Sequence, residues 1–200
     1  AGDEVSAWEY VLDAADERDV RYLNPNVGDT INLGGATITV LSPNKYASYS
    51  NLNNYSLVLK LEYEDVSFLF MGDAEEEIEK ELLLYGHNLS ADVLKCGHHG
   101  SSTSSCLEFI AAVHPAATVI SCGKDNDYGH PHAEPLNTLA LFKSQVYRTD
   151  ISSHITALSD GETITIKAGG EVLTTDVAKE IATTPSSTKS YNYVGNLNSK

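Results

Sequence analysis

Three short segments of this 200-residue chain hold the residues best equipped for chemistry. Met71-Gly72-Asp73-Ala74 offers a carboxylate, and Gly97-His98-His99-Gly100-Ser101 offers a histidine pair framed by glycines. The stretch Gly123 to His132, reading GKDNDYGHPH, adds two imidazoles at His130 and His132. Each segment follows a run with strand character, and in α/β folds sites collect outside the carboxyl ends of parallel strands. One carboxylate and four imidazoles brought together would suit divalent cations. A carboxylate can bridge two of them, and neutral imidazoles complete the shells without adding charge. Two cations about 3.5–4 Å apart polarise a substrate oxygen and lower the pKa of a water between them. Such a centre takes roughly seven protein ligands, from about three or more per metal with positions left open. This chain supplies fewer.

Each segment also has a plainer interpretation. Asp73 stands three residues before Glu76, the spacing of a capping box, so it could simply open a helix. His130 and His132 could be ordinary loop residues. The glycines around His98 and His99 point instead to a tight turn that projects its side chains. The isolated His87, His114 and His154 read as surface or packing residues.

The elements that must position these groups follow from periodicity. Val5, Trp8, Leu12 and Ala15 lie on one helical face, predicting a helix near 4–17. Short strands are expected at Thr30 to Leu33 and Ala36 to Leu41 around a Gly34-Gly35 turn, then a Ser, Asn and Tyr loop from Ser42 to Asn54. Tyr55 to Tyr63 and Val66 to Met71 form a hairpin about Glu64-Asp65. From there helix and strand alternate. Stripes at Ile78, Leu82 and Tyr85, at Phe109, Ile110 and Val113, and from Pro135 to Lys143 mark helices. Asp92 to Cys96, Ala117 to Cys122 and Gln145 to Arg148 are strands. That alternation implies a largely parallel sheet with helices packed over it. A last hairpin spans about 155–175, and residues 177–200 read as a Ser, Thr and Asn-rich linker or tail after a domain portion of 1–176.

Composition sets outer bounds. The 42% apolar share is that of a globular protein. No apolar run approaches the roughly 18 residues that span a bilayer, and the first residues lack a signal-peptide pattern. The net charge of −15, from 28 acidic and 13 basic residues, argues against tight metal-free binding of nucleic acid. It does not exclude a phosphodiester substrate, because bound cations reverse the sign locally. Cys96, Cys106 and Cys122 contain no C-x-x-C pair, which argues against a zinc knuckle. Cys96 and Cys122 each close an apolar run and could pair, but buried small apolar residues are the simpler expectation.

The runs NNYSLVLKLEYEDVSFLFMGDAEEEIEKELL, ADVLKCGHHGSSTSS, ATVISCGKDNDYGHPH and VYRTD resemble the metallo-β-lactamase domain of bacterial competence DNA-internalisation proteins and of secreted hydrolases that share its signatures. The similarity extends from about Val5 to Gly170 in the expected order. It implies an α/β fold, the carboxyl-terminal half of an αββα sandwich. It also implies two divalent metal ions, zinc or manganese, and hydrolysis of phosphodiester or related bonds. On this resemblance Asp73 is a bridging metal ligand and His99, of the histidine pair, a further ligand. His98 and His130 are catalytic groups, and Ser101 and His132 contact substrate. The family's Asn-Asn-x-Ser falls on Asn53, Asn54 and Ser56, with no role derived.

The chain departs from the family in lacking the H-x-H-x-D-H motif, since its first histidine is His87. The expectation is therefore a chain that starts after that motif, with an incomplete metal site. Its partners would be the amino-terminal half of the same domain and a phosphodiester such as DNA, with self-association through the exposed sheet face and an extracellular or cell-surface location. Alternatives are a non-catalytic binding or structural domain on the same scaffold, or a lactonase or β-lactam hydrolase. The end of the chain, from Tyr193 to Lys200, weakly resembles the opening of a small metal-binding module.

Overall fold

A computed structural model describes residues 7–169 and 191–194. Helix α1 (Ala7–Asp16) precedes strands β1 (Thr30–Leu33), β2 (Ala36–Ser42), β3 (Val58–Tyr63) and β4 (Val66–Phe70). Then α2 (Glu76–Leu84), β5 (Val93–Lys95), α3 (Leu107–Val113), β6 (Ala117–Ile120), α4 (Ala133–Leu141) and β7 (Gln145–Arg148) alternate. A one-turn helix α5 (Thr149–Ser152) leads to β8 (Ile155–Ser159), β9 (Ile164–Ala168) and β10 (Tyr191–Val194).

Strands β1 to β7 form one sheet in sequence order. The first four are joined antiparallel, and β4 through β7 run parallel. The two expected hairpins and the parallel series implied by the alternation of helix and strand thus share one sheet. The two-residue turns Gly34-Gly35 and Glu64-Asp65 allow antiparallel return. Each parallel step instead needs a crossover long enough to hold a helix.

The pleat sorts the strand residues between two cores. Leu69, Leu94 and Ile120 face one side, with Ile78 and Leu82 of α2, Phe109 and Ile110 of α3, and Leu139 of α4. Val66, Val93, Ala117 and Tyr147 face the other side, against Ile164 and Ile166 of β9. All three crossover helices therefore lie on one face, and β8, β9 and β10 form a second sheet, in the order β10-β9-β8, over the other. β9 pairs antiparallel with β8 and parallel with β10. β10 lies within the stretch expected to be a tail. The rest of 177–200 falls outside the described residues, as does Tyr193 to Lys200 beyond Val194.

Glu79 links two of the helices. Fully buried on α2, it accepts hydrogen bonds from the Ser105 and Cys106 N–H groups at 2.5 and 2.8 Å, where α3 begins. The cysteines are free: Cys96 is buried, with its sulfur 3.2 Å from Ser105 Oγ. No helix among the described residues is long and apolar enough to cross a membrane.

Candidate metal and hydrolytic centre

The ends of β4, β5 and β6 carry the three segments singled out by residue type. After β4 the chain turns through Gly72, whose φ of +57° and close approach to Ser56 disfavour a side chain. Asp73 follows. Its N–H donates to Ser56 Oγ at 3.0 Å, and its carboxylate, 45% exposed, points toward the end of β5. It does not cap α2: the residue at that position is Glu75, which makes no side-chain capping bond. The capping-box interpretation of Asp73 is thereby overturned.

After β5 the backbone folds into a tight turn, Gly97–Gly100. His98 and His99 both take left-handed conformations, φ 42° and 56°. That region costs an ordinary residue about 1–2 kcal/mol. The turn is held by His98 N–H donating to Gly72 O at 3.1 Å and by Ser104 Oγ donating to Gly97 O at 2.9 Å. Gly97 and Gly100 pack so closely that an added Cβ would lie 2.6 Å from Ala74 O or 2.7 Å from Pro131 Cβ.

The two histidines have different environments. His99 Nδ1 lies 2.6 Å from the Ser121 carbonyl. A carbonyl only accepts, so Nδ1 carries a proton, and the neutral tautomer this selects has its lone pair on Nε2. That atom faces Asp73 Oδ1 at 3.2 Å. Two lone pairs at this distance need a proton or a cation between them. His98 is braced inside the protein. Its Nδ1 is 3.0 Å from Glu75 Oε1 and 3.2 Å from Thr103 Oγ1, and its Nε2 is 3.4 Å from the Asn53 amide.

The Asn53, Asn54 and Ser56 loop explains that brace. Asn53 Nδ2 donates to Glu75 Oε1 at 3.0 Å, and Asn54 Oδ1 accepts from Glu75 N–H at 3.0 Å. Asn54 Nδ2 also donates to Glu77 Oε2 at 2.7 Å. One loop thus fixes Asp73, Glu75 and, through Glu75, His98. Glu75 carries no distinguishing mark among the three glutamates Glu75 to Glu77, which look alike as a charged helix start.

His130 lies over the pair, its ring centroid 5.6 Å from His98 and 6.3 Å from His99. The exposed Tyr128 stacks on its far side at 5.6 Å. Burial first, then the neighbouring His132, His98 and His99, push the His130 imidazolium below its usual range, while Asp73 opposes them. Asn126 shapes this loop, accepting from His130 N–H at 3.0 Å and donating to His130 O at 2.7 Å.

His132 and Ser101 sit differently. His132 Nδ1 accepts from Ser102 N–H at 2.9 Å, and its Nε2 meets Tyr128 O at 3.1 Å. Both ring nitrogens are therefore engaged by backbone, joining the two loops. Ser101 is 5% exposed, and its hydroxyl accepts from the Thr103 N–H and Oγ1–H. At the end of β7, Thr149 Oγ1 exchanges hydrogen bonds with Cys122 N and O. Arg148 grips Asp150 in a bidentate pair that holds its carboxyl below the usual range. The VYRTD segment thus latches β7 to β6.

Among the described residues no three His, Cys, Asp or Glu side chains form a ready-made metal group. Asp73 and His99 make a pair of donors.

No family model matches the chain. It is 42% identical over 142 residues to "ComE operon protein 3" of Bacillus subtilis, covering 71% of this chain and 18% of that protein. It is 39% identical over 101 residues to "Competence protein ComA" of Neisseria gonorrhoeae, covering 50% and 15%. With "Recombination protein 2" of Haemophilus influenzae it shares 32% over 122 residues, covering 60% and 15%. The aligned stretch is most of this chain in the first case and a small part of each relative. The chain is a homologue of one segment of bacterial competence proteins, spanning less than a fifth of each.

Proposed function

We propose that this chain is the carboxyl-terminal part of a metal-dependent hydrolase of the metallo-β-lactamase kind, acting on phosphodiesters such as those of DNA. The observation that carries this is the facing pair His99 Nε2 and Asp73 Oδ1, 3.2 Å apart. Two donors bound to one cation at about 2.0–2.2 Å, with angles near 90–110°, stand about 2.9–3.5 Å from each other. The pair fits that spacing. The Ser121 carbonyl also fixes His99 in the tautomer a ligand needs, as partners of metal-bound histidines do.

In this proposal Asp73 and His99 would hold a divalent cation, zinc or manganese, with the Asp73 carboxylate free to serve a second. The cations would supply Lewis acidity toward a phosphoryl oxygen and a nucleophilic water near neutral pH. Upstream residues complete the ligand set. His98, kept from the metal by Glu75 and Asn53, and His130, above the pair, act on substrate. His132 and Ser101 hold the loops in place rather than contact the ligand, a departure from the roles the resemblance implies.

The same upstream segment would complete an αββα sandwich by extending the second sheet. Phe70, on the face it would cover, is 40% exposed. A competence role like that named for one relative would suit a site outside the cell or at its surface.

The test uses the protein with its native upstream segment and bis-p-nitrophenyl phosphate as substrate. Hydrolysis should vanish on removal of metal and return on adding manganese or zinc. Turnover that persists in fully metal-free protein, or none in the metal-loaded protein, contradicts the proposal.

A further inference from the structure

Lys95 is the last residue of β5, in register between Phe70 and Val119 and close before the His98-His99 turn. The pleat sends its stem to the same face as Val93, into a cleft of about 270 Å³ walled by Phe68, Phe70, Val119, Ile155 and Ala157. Among the described residues its ammonium donates to Cys96 O at 2.7 Å. That bond pulls it toward the end of the strand, where the catalytic turn begins. An ammonium has three donors and, when half-buried, needs acceptors or a counter-charge. Among the described residues no carboxylate pairs with it, although Asp73 is near enough to favour its charge against the burial that lowers its pKa. The ammonium thus sits at the end of β5, beside the turn that carries His98 and His99, with Asp73 favouring its charge.

We propose that Lys95 is the anion anchor of this site, its ammonium taking a non-bridging phosphoryl oxygen of the substrate beside the Asp73–His99 pair. The proposal rests on the hydrolase function for the identity of the anion. The stem lies on apolar walls, as long cationic side chains do when only their heads must be polar. The ammonium thereby stays at the polar end of the cleft, while Asp73 and His99 would hold the cation. In a chain of net charge −15 a phosphate meets little other attraction. A fixed ammonium next to bound cations supplies it locally.

The experiment uses the complete, manganese-loaded protein and inorganic phosphate as probe, with calorimetric affinity, metals per chain by mass spectrometry and thermal stability measured together. Lys95→Met keeps the stem and removes the charge. It should weaken phosphate by about tenfold or more and raise KM for bis-p-nitrophenyl phosphate, with metal content and stability unchanged. Lys95→Arg should keep most of the affinity. Unchanged phosphate affinity in Lys95→Met overturns the proposal. So does a loss that only tracks lost metal or lost stability, since the ammonium would then be paired with a carboxylate of the upstream segment. Wild-type protein that binds phosphate through Lys95 yet hydrolyses no ester would sink the hydrolase function and leave the anchor. Hydrolysis indifferent to Lys95→Met would do the reverse.

Discussion

His99 Nε2 and Asp73 Oδ1 meet 3.2 Å apart across the ends of two neighbouring parallel strands, β4 and β5. Neither residue is placed by the pair contact alone. Asp73 is set by Ser56 and the Gly72 turn, and His99 by Ser121 O and two left-handed backbone steps. The supports around this pair are as informative as the pair itself.

The first prediction concerns the brace on His98. Asn53→Ala removes the donor to Glu75, and Glu75→Gln removes the carboxylate that holds Nδ1. Neither touches the Asp73–His99 pair. In the complete protein each should lower turnover about 10–100-fold, the usual effect of freeing a group that orients a site residue. Metal content should stay at the wild-type value. Unchanged turnover in both variants would remove His98 from the chemistry.

Glycine substitutions test the tight packing of the turn. Gly97→Ala drives a Cβ onto Ala74 O, and Gly100→Ala drives one onto Pro131 while also requiring φ +77°. Gly97→Ala should destabilise by about 1–3 kcal/mol through overpacking alone, and Gly100→Ala by about 2–4 kcal/mol with strain added. Gly86→Ala is the control, since its φ of +69° is strained but nothing lies within 4 Å. It should cost about 1 kcal/mol and leave the site alone. Urea unfolding of the three variants gives the comparison, and equal losses would mean that close packing at the turn contributes nothing.

Much of this architecture is legible from periodicity alone. Ala36 to Leu41 and Gln145 to Arg148 alternate or cluster as strands must, and the glycines mark the turns between elements. That the hairpins and the parallel series share one sheet is harder to see. β4 reads as the close of a hairpin, yet it also opens the parallel series, and only three-dimensional neighbours reveal both roles. The site divides similarly. Asp73 and the His98-His99 pair stand out by type and by their glycines. Glu75 is hidden in an acidic run, and the engagement of both His132 nitrogens by backbone depends on how two distant loops meet. Hydrogen-bond closure of that kind has no sequence period.

Glu79 makes stability depend on pH. Burial pushes its carboxyl from 4.5 up to about 7, against hydrogen bonds from Cys106 and Ser105 N–H that favour the ion. Between those values the folded protein keeps a proton that the unfolded chain has released. The associated stability is therefore complete below about pH 4.5 and is lost as pH rises through about 7. The change amounts to about 3 kcal/mol. Glu79→Gln cannot titrate, so relative to wild type it should gain stability as pH rises from 5 to 7.5. Denaturant unfolding across that range checks this, and parallel pH profiles for the two proteins would contradict it.

The most direct test of the account is a count of metal ions per chain in the complete protein, wild type beside Asp73→Ala and His99→Ala. Two divalent ions should be retained by wild type after extensive dialysis. Asp73→Ala should lose both along with hydrolysis, because a bridging carboxylate serves both cations, and His99→Ala should bind metal more weakly. If Asp73→Ala kept two ions and full activity, the facing pair at 3.2 Å would be a plain hydrogen bond and the metal-centre assignment would fail.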